Sequence, residues 1–158
     1  MRAISIEKAK VSDARRILDI QKEAYLSEAE IYDDYNIPPL TQTLTEIESD
    51  FDNYTFYVAK INGVIVGSVN LKVEKGIGLI GRLIVRPDIQ NQGIGTILMD
   101  YVEANHTDLD AFELFTGYKS ERNLSFYSKR GYQEFKRQPV HARLVFIFMR
   151  KKIANKAS

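Results

Sequence analysis

Asn62-Gly63 stands between two β-rich runs, YTFYVAKI over 54–61 and VIVGSVNLKV over 64–73. A two-residue type I′ turn needs positive φ at both central positions, and Asn-Gly meets that need better than any other pair. The chain is thereby committed to an antiparallel hairpin. A third run, IGLIGRLIVR over 77–86, extends the hairpin into a meander that stops at Pro87. The period then changes, because Ile94, Ile97, Leu98, Tyr101 and Val102 share one helical face. AFELFT over 111–116 returns to strand. Ser120 can cap a short helix through Lys129, and Gly131 suits the left-handed position that ends it. Two more strands are expected around 132–137 and 143–150.

Upstream, Ile4 and Ile6 alternate with polar residues as a short first strand. Ser12 is a suitable N-cap for a helix carrying Ala14, Ile17, Leu18, Gln21 and Tyr25. Asn36-Ile-Pro-Pro breaks it, and Thr41 can cap a second helix with the face Leu44, Ile47 and Phe51. A meander followed by β-α-β implies a mixed sheet flanked by about four helices, in the α/β or α+β class.

At 158 residues the chain fits one domain, taken as 1–150 with a basic tail over 151–158. It has no cysteine, so it forms no disulfide, thiolate metal site or cysteine acyl-enzyme. His106 and His141 are too few for an all-histidine zinc site, and no metal is expected. No apolar stretch approaches a membrane span or signal peptide, which makes the cytoplasm the default, as a monomer or homodimer. The net charge of +1 hides an asymmetry. Residues 23–59 hold nine acids and no Lys, Arg or His, whereas 118–158 hold eleven Lys/Arg and two acids. The two regions could favour a cationic and an anionic ligand, or be solvated faces.

The chemistry concentrates between the third meander strand and its helix, at Arg86-Pro-Asp-Ile-Gln-Asn-Gln-Gly-Ile-Gly-Thr96. The first N–H groups of a helix have no internal partner and sit at the positive end of its dipole, which makes a site for a phosphate. Gly93 and Gly95 let a ligand approach where a Cβ would collide, and Gln90, Asn91, Gln92 and Thr96 can add donors. No lysine follows these glycines, so this is not a P-loop, and Leu98 takes the third glycine place of a dinucleotide fingerprint.

The pattern Gln90-x-x-Gly93-x-Gly95 after Val85-Arg86-Pro87 resembles the acyl-CoA turn of the GNAT N-acetyltransferase superfamily. Downstream, Asn123-Leu-Ser-Phe-Tyr127-Ser-Lys-Arg-Gly131-Tyr132 is similar to that family's second motif, and the element order agrees from Ile4 to about Arg150. The resemblance implies a mostly antiparallel sheet of six to seven strands, splayed where acetyl-CoA binds. It implies that the turn from Gln90 to Thr96, Ile94 included, cradles the pyrophosphate. It further implies that Leu83, Ile84 and Val85 bind the pantetheine arm and acetyl carbonyl through their backbone, with a Leu83 or Ile84 N–H as oxyanion donor. Asn123 would bond the pantetheine or nearby backbone. Tyr127 would be the general acid toward the CoA sulfur, or else pack beneath it.

The implied reaction is acetyl transfer to a primary amine of a small molecule or peptide, by direct attack in a ternary complex. Many relatives carry a glutamate on the strand before the turn, but Ile77–Val85 has no carboxylate here. Glu28, Glu30, Glu113 and His141 are candidates for the general base. Glu30, Tyr32, Asp33 and His141 are candidates for the acceptor pocket, where acids among aromatics suit a cationic amine; the same residues also read as solvated acids over core rings. A non-catalytic acyl-CoA-binding module is the alternative. A nucleic-acid partner is not favoured, because a polyanionic cofactor accounts for the basic residues.

Overall fold

A computed structural model describes residues 3–153. The elements run β1 (Ile4–Lys8), α1 (Ala14–Ala24), α2 (Leu26–Tyr32), α3 (Pro38–Thr41), α4 (Leu44–Asp50), β2 (Thr55–Ile61), β3 (Val64–Glu74), β4 (Ile77–Val85), α5 (Ile94–Ala104), β5 (Ala111–Gly117), α6 (Glu121–Lys129), β6 (Gln133–His141) and β7 (Leu144–Lys152). The mixed α/β class and the seven-stranded sheet agree with expectation, and the sheet order is β1-β2-β3-β4-β5-β7-β6. Asn62 (φ 52°) and Gly63 (φ 77°) make the turn that their pairing dictates.

The helical layer is more finely divided than the sequence suggests. The first helix breaks at Tyr25 into α1 and α2. The two prolines lie in the first turn of the short α3, where their missing N–H groups cost nothing. The cap of α4 is Thr43 rather than Thr41, because Thr43 accepts from the Glu46 N–H while Glu46 accepts from the Thr43 N–H. Ser12 lies inside a 3₁₀ turn over Val11–Asp13 and caps nothing. Ser120 holds the N-cap position of α6 without a capping bond, its hydroxyl being committed to Glu28. Gly131 (φ 97°) ends α6 as expected. β7 runs to Lys152, so the first two residues assigned to the tail are strand, and 154–158 lie outside the described residues.

Two apolar clusters cover the two faces of the sheet. One joins Val69, Leu71, Ile80, Phe112 and Leu114 to Ile94, Leu98, Met99 and Val102 of α5. The other packs Ile17 and Ile20 of α1 and Ile47 of α4 on Phe56, Val58 and Ile84. Leu98 is fully buried. Leu98→Ala should cost about 2–5 kcal/mol of stability in urea denaturation, through lost transfer energy plus a residual cavity.

Two irregularities shape the sheet. β4 and β5 form its one parallel pair, and it lasts for three residue pairs: Ile77↔Ala111, Gly78↔Phe112 and Leu79↔Glu113. Beyond Leu79 the strands diverge, β5 staying with β7 as far as Gly117↔Phe146. In β4 the pairing jumps from Asn70↔Gly81 to Ser68↔Ile84, so Arg82 and Leu83 together oppose Val69. Arg82 takes φ 51° in this bulge, a left-handed conformation unusual for a non-glycine residue inside a strand.

Candidate functional site

The divergence of β4 from β5 opens a cavity of about 1410 Å³, larger than the roughly 300–1,000 Å³ of an ordinary small-molecule site. It runs from the α5 turn, past α6, to the space under α2–α4.

The turn end is built by sequence-local rules. Gly93 holds φ 83° as N-cap of α5, and Asn91 holds φ 65° before it. The first bond within the helix runs from the Ile97 N–H to the Gly93 carbonyl at 3.0 Å, so the N–H groups of Ile94, Gly95 and Thr96 precede it. The Ile94 side chain is buried under α5, which fixes these N–H groups toward the turn. A Cβ built on Gly95 meets only Leu83 Cδ2 and Phe126 Cζ at 3.9 Å, ordinary contact, and one on Gly93 meets nothing within 4 Å. The chain's own packing therefore does not require Gly95 to lack a side chain, and an approaching ligand would, whereas Gly93 is already called for by its positive φ. Thr96 is exposed on the first turn.

The amide side chains of the turn are less available than expected. Gln90 Nε2 donates to the Val85 carbonyl at 3.3 Å, bracing the turn against β4. Asn91 Oδ1 accepts from Arg122 Nη2, which brings a guanidinium to the turn that the motif alone did not suggest. Gln92 is exposed and outside the cavity wall. The turn thus presents chiefly backbone donors.

Leu83, Ile84 and Val85 all line the cavity. The Arg86 N–H bonds back to the Val66 carbonyl of β3 at 2.8 Å. Strand alternation then directs the Ile84 N–H toward β3 and the Leu83 and Val85 N–H groups toward the divergence. Of the two oxyanion donors expected, Leu83 has the geometry and Ile84 does not.

Tyr127 projects from α6 into the cavity, its ring edge-on to Phe126 and Tyr132. Among the described residues no hydrogen bond to its hydroxyl is found. Burial, then the neighbouring Tyr25 and Glu28, push the phenol well above its ordinary value, so it stays protonated. Asn123 lines the cavity with its amide nitrogen engaged. Its Nδ2 donates to Glu28 Oε1 and to Thr116 Oγ1, both at 3.2 Å, tying α6 to α2 and β5. Ser120 Oγ donates to Glu28 Oε2 at 2.6 Å. Glu28 is thus a carboxylate held by neutral donors, with no cation on it.

The acceptor candidates divide. Ala29 and Tyr32 form the inward face of α2, which leaves Glu30 and Asp33 exposed and outside the cavity wall. Tyr32 does reach it, but its hydroxyl is engaged with Ser120 Oγ at 2.7 Å and the Lys119 N–H at 2.9 Å. Gly117 is required beneath it, since a Cβ there would coincide with the Tyr32 hydroxyl. His141 Nδ1 accepts from the Arg143 N–H at 3.1 Å, which leaves Nε2 to donate to Asp34 Oδ2 at 2.9 Å. This imidazole has no free lone pair and is a poor general base. The Asn36 N–H and then His141 hold the Asp34 carboxyl below the usual carboxylate range. Glu113 faces the cavity but is paired to Arg150 Nη2 at 2.7 Å. The described residues hold no group of three ligating side chains for a metal ion, and no helix among them is long and apolar enough to cross a membrane.

The parallel opening, the helix-terminal turn and the tyrosine on the following helix together define an acyl-CoA-type transferase fold. The sequence profile of the acetyltransferase (GNAT) family matches residues 15–132, and the chain belongs to that family. It is 30% identical over 121 residues to the UPF0157 protein YqkA of Bacillus subtilis (strain 168). That match spans 77% of this chain and 35% of the relative, so the chain corresponds to about a third of that protein's length. The fold is shared with the ribosomal-protein-S18-alanine N-acetyltransferase of Escherichia coli (TM-score 0.82, 16% identity, 99% of this chain and 97% of that one). It is also shared with the PaiA N-acetyltransferase of Thermoplasma acidophilum in complex with coenzyme A (TM-score 0.71, 21% identity, 95% and 99%).

Proposed function

We propose that the chain transfers an acetyl group from acetyl-CoA to a primary amine of a small molecule or peptide, by direct attack in a ternary complex. The observation that carries this reading is the convergence, at the β4–β5 opening, of unpaired α5 N–H groups, the outward Leu83 N–H and the unpartnered Tyr127 hydroxyl.

Acetyl-CoA supplies the thioester. The N–H groups of Ile94, Gly95 and Thr96 hold the pyrophosphate, with Arg122 adding a cation at the rim. The Leu83 N–H stabilises the oxyanion formed when the amine nitrogen attacks the carbonyl carbon. Glu28 accepts the proton that the attacking nitrogen sheds. Among the acids on the cavity wall, Asp34, Asp50 and Glu113 are tied to His141, Gln42 and Arg150 and Glu121 is exposed on the first turn of α6, while Glu28 is the one whose charge reaches Tyr127. Tyr127 gives its proton to the sulfur as the carbon–sulfur bond breaks, so amide and thiol leave neutral.

The turn is tested by ligand-induced melting. At 100-fold excess over its dissociation constant, acetyl-CoA should stabilise the fold by about 2.7 kcal/mol. Gly95 is within the helix with room for a side chain. Gly95→Ala should therefore raise the melting temperature of the free protein, by relieving about 0.5–1 kcal/mol of glycine cost, yet lose most of the ligand-induced shift. A full shift in that variant would remove the turn from the cofactor site. The missing carboxylate on β4 favours the second reading, a binding module without turnover, which predicts the same melting shift and no thiol release with any amine.

A further inference from the structure

Arg82 is an unusual residue to find in the middle of a strand. It holds φ 51° in the β4 bulge, a conformation that a non-glycine residue adopts only at a cost. The bulge turns Arg82 to the α1–α4 side of the sheet, the side Gly81 also faces, while Leu83 faces α5. Its guanidinium reaches the cavity wall, and its one hydrogen bond is from Nη1 to the neutral Gln42 Oε1 at 3.3 Å. Gln42 is itself fixed, accepting from Gln21 Nε2 at 2.9 Å and donating to Asp50 Oδ2 at 2.7 Å. No carboxylate among the described residues pairs with Arg82, although Arg150 on the same wall has Glu113. Beside it, Asn70 is 5% exposed, lines the same cavity, and leaves Oδ1 without a partner. Gly81, opposite Asn70, opens the space above that amide, since a Cβ there would lie 3.0 Å from Oδ1.

A part-buried guanidinium with free donors and a buried amide oxygen without a donor, both beside the Leu83 oxyanion donor, are what a small zwitterionic acceptor would satisfy, its carboxylate accepting from the guanidinium and its amine donating to Asn70 Oδ1. Resting on the acetyl-transfer reading above, we infer that Arg82 binds the carboxylate of the acceptor and Asn70 Oδ1 takes a hydrogen bond from its amine, so that the acceptor is an amino-acid-sized zwitterion rather than a purely cationic amine. Arg82 donates to the carboxylate oxygens, Asn70 Oδ1 accepts from the amine, and the amine lone pair is left directed at the carbonyl.

The test compares L-alanine, L-leucine and L-phenylalanine, each with its own carboxamide, in wild type, Arg82→Asn and Arg82→Gly. Asparagine and glycine both accept positive φ, so the bulge is retained. The carboxamide amine is less basic and more often neutral, so chemistry alone favours it. Wild type should nevertheless prefer at least one acid over its amide by 10-fold or more in kcat/KM. Both variants should lose about 10- to 100-fold on the acid, mostly in KM, and change the amide less than threefold. Equal use of acid and amide by wild type, or a preference that survives in both variants, overturns the assignment. If no amine is acetylated, the acetyl-transfer reading fails instead. Melting with CoA present then decides the site: a shift with the acid in wild type and not in Arg82→Asn supports it, and no shift with any acid overturns it.

Discussion

Tyr127→Phe should lower the single-turnover rate of acetyl transfer by 10²–10⁴-fold, about 3–5 kcal/mol of barrier, while leaving acetyl-CoA affinity within a few-fold. The phenyl ring keeps the edge contacts with Phe126 and Tyr132, so the change removes the hydroxyl alone. A hydroxyl that merely bonded the sulfur would be worth about 1 kcal/mol, under tenfold in rate. The pH profile gives a second, independent reading. Burial raises the Tyr127 pKa above that of an ordinary phenol. The proton-bearing form is complete below that pKa and is lost only as pH rises through it. Wild type should therefore show no loss of rate from this group up to about pH 10, where a free phenol would be half ionised. A loss between pH 9 and 10 that disappears in Tyr127→Phe would mean an unshifted phenol. A rate within threefold of wild type would leave Tyr127 as packing for the cofactor.

The parts of this site that were legible in the sequence are those fixed by local backbone demands. Asn62-Gly63 could do little but make its turn, and Gly93 and Gly95 mark a helix terminus that must stay open. The short helix that carries Tyr127 is legible from the glycine that ends it, Gly131. What the sequence concealed depends on which distant groups meet. Glu28 was one of four equal candidates, and it stands apart only because its partners, Ser120 and Asn123, lie more than ninety residues away and carry no charge. His141 loses its candidacy through Asp34, and Glu113 through Arg150, pairings no local pattern announces. Glu30 and Asp33 stand out in the sequence only as part of a charge block, and α2 turns Ala29 and Tyr32 inward and leaves those acids in solvent. The same blindness hid Arg82, whose left-handed backbone follows from a bulge set by the pairing of β3 with β4.

Glu28→Gln is the substitution that separates base catalysis from architecture. Glutamine keeps the shape and one carbonyl acceptor for Ser120 or Asn123, so α6 stays tied to α2, and the melting temperature should fall only modestly. What it removes is the charge that can receive a proton. The expected loss in kcat is 10²–10⁴-fold with an aliphatic amine, the usual contribution of a positioned base. An acceptor that is already neutral at pH 7, such as an arylamine, still sheds a proton after attack but does not need one removed before it. The variant's defect should therefore shrink by tenfold or more with an arylamine. An equal defect with both acceptors, accompanied by a large drop in melting temperature, would show that Glu28 holds α6 in place. The proton would then leave through water in the β4–β5 opening, since Asp34, Asp50 and Glu113 are bound to His141, Gln42 and Arg150 and Glu121 lies exposed at the start of α6.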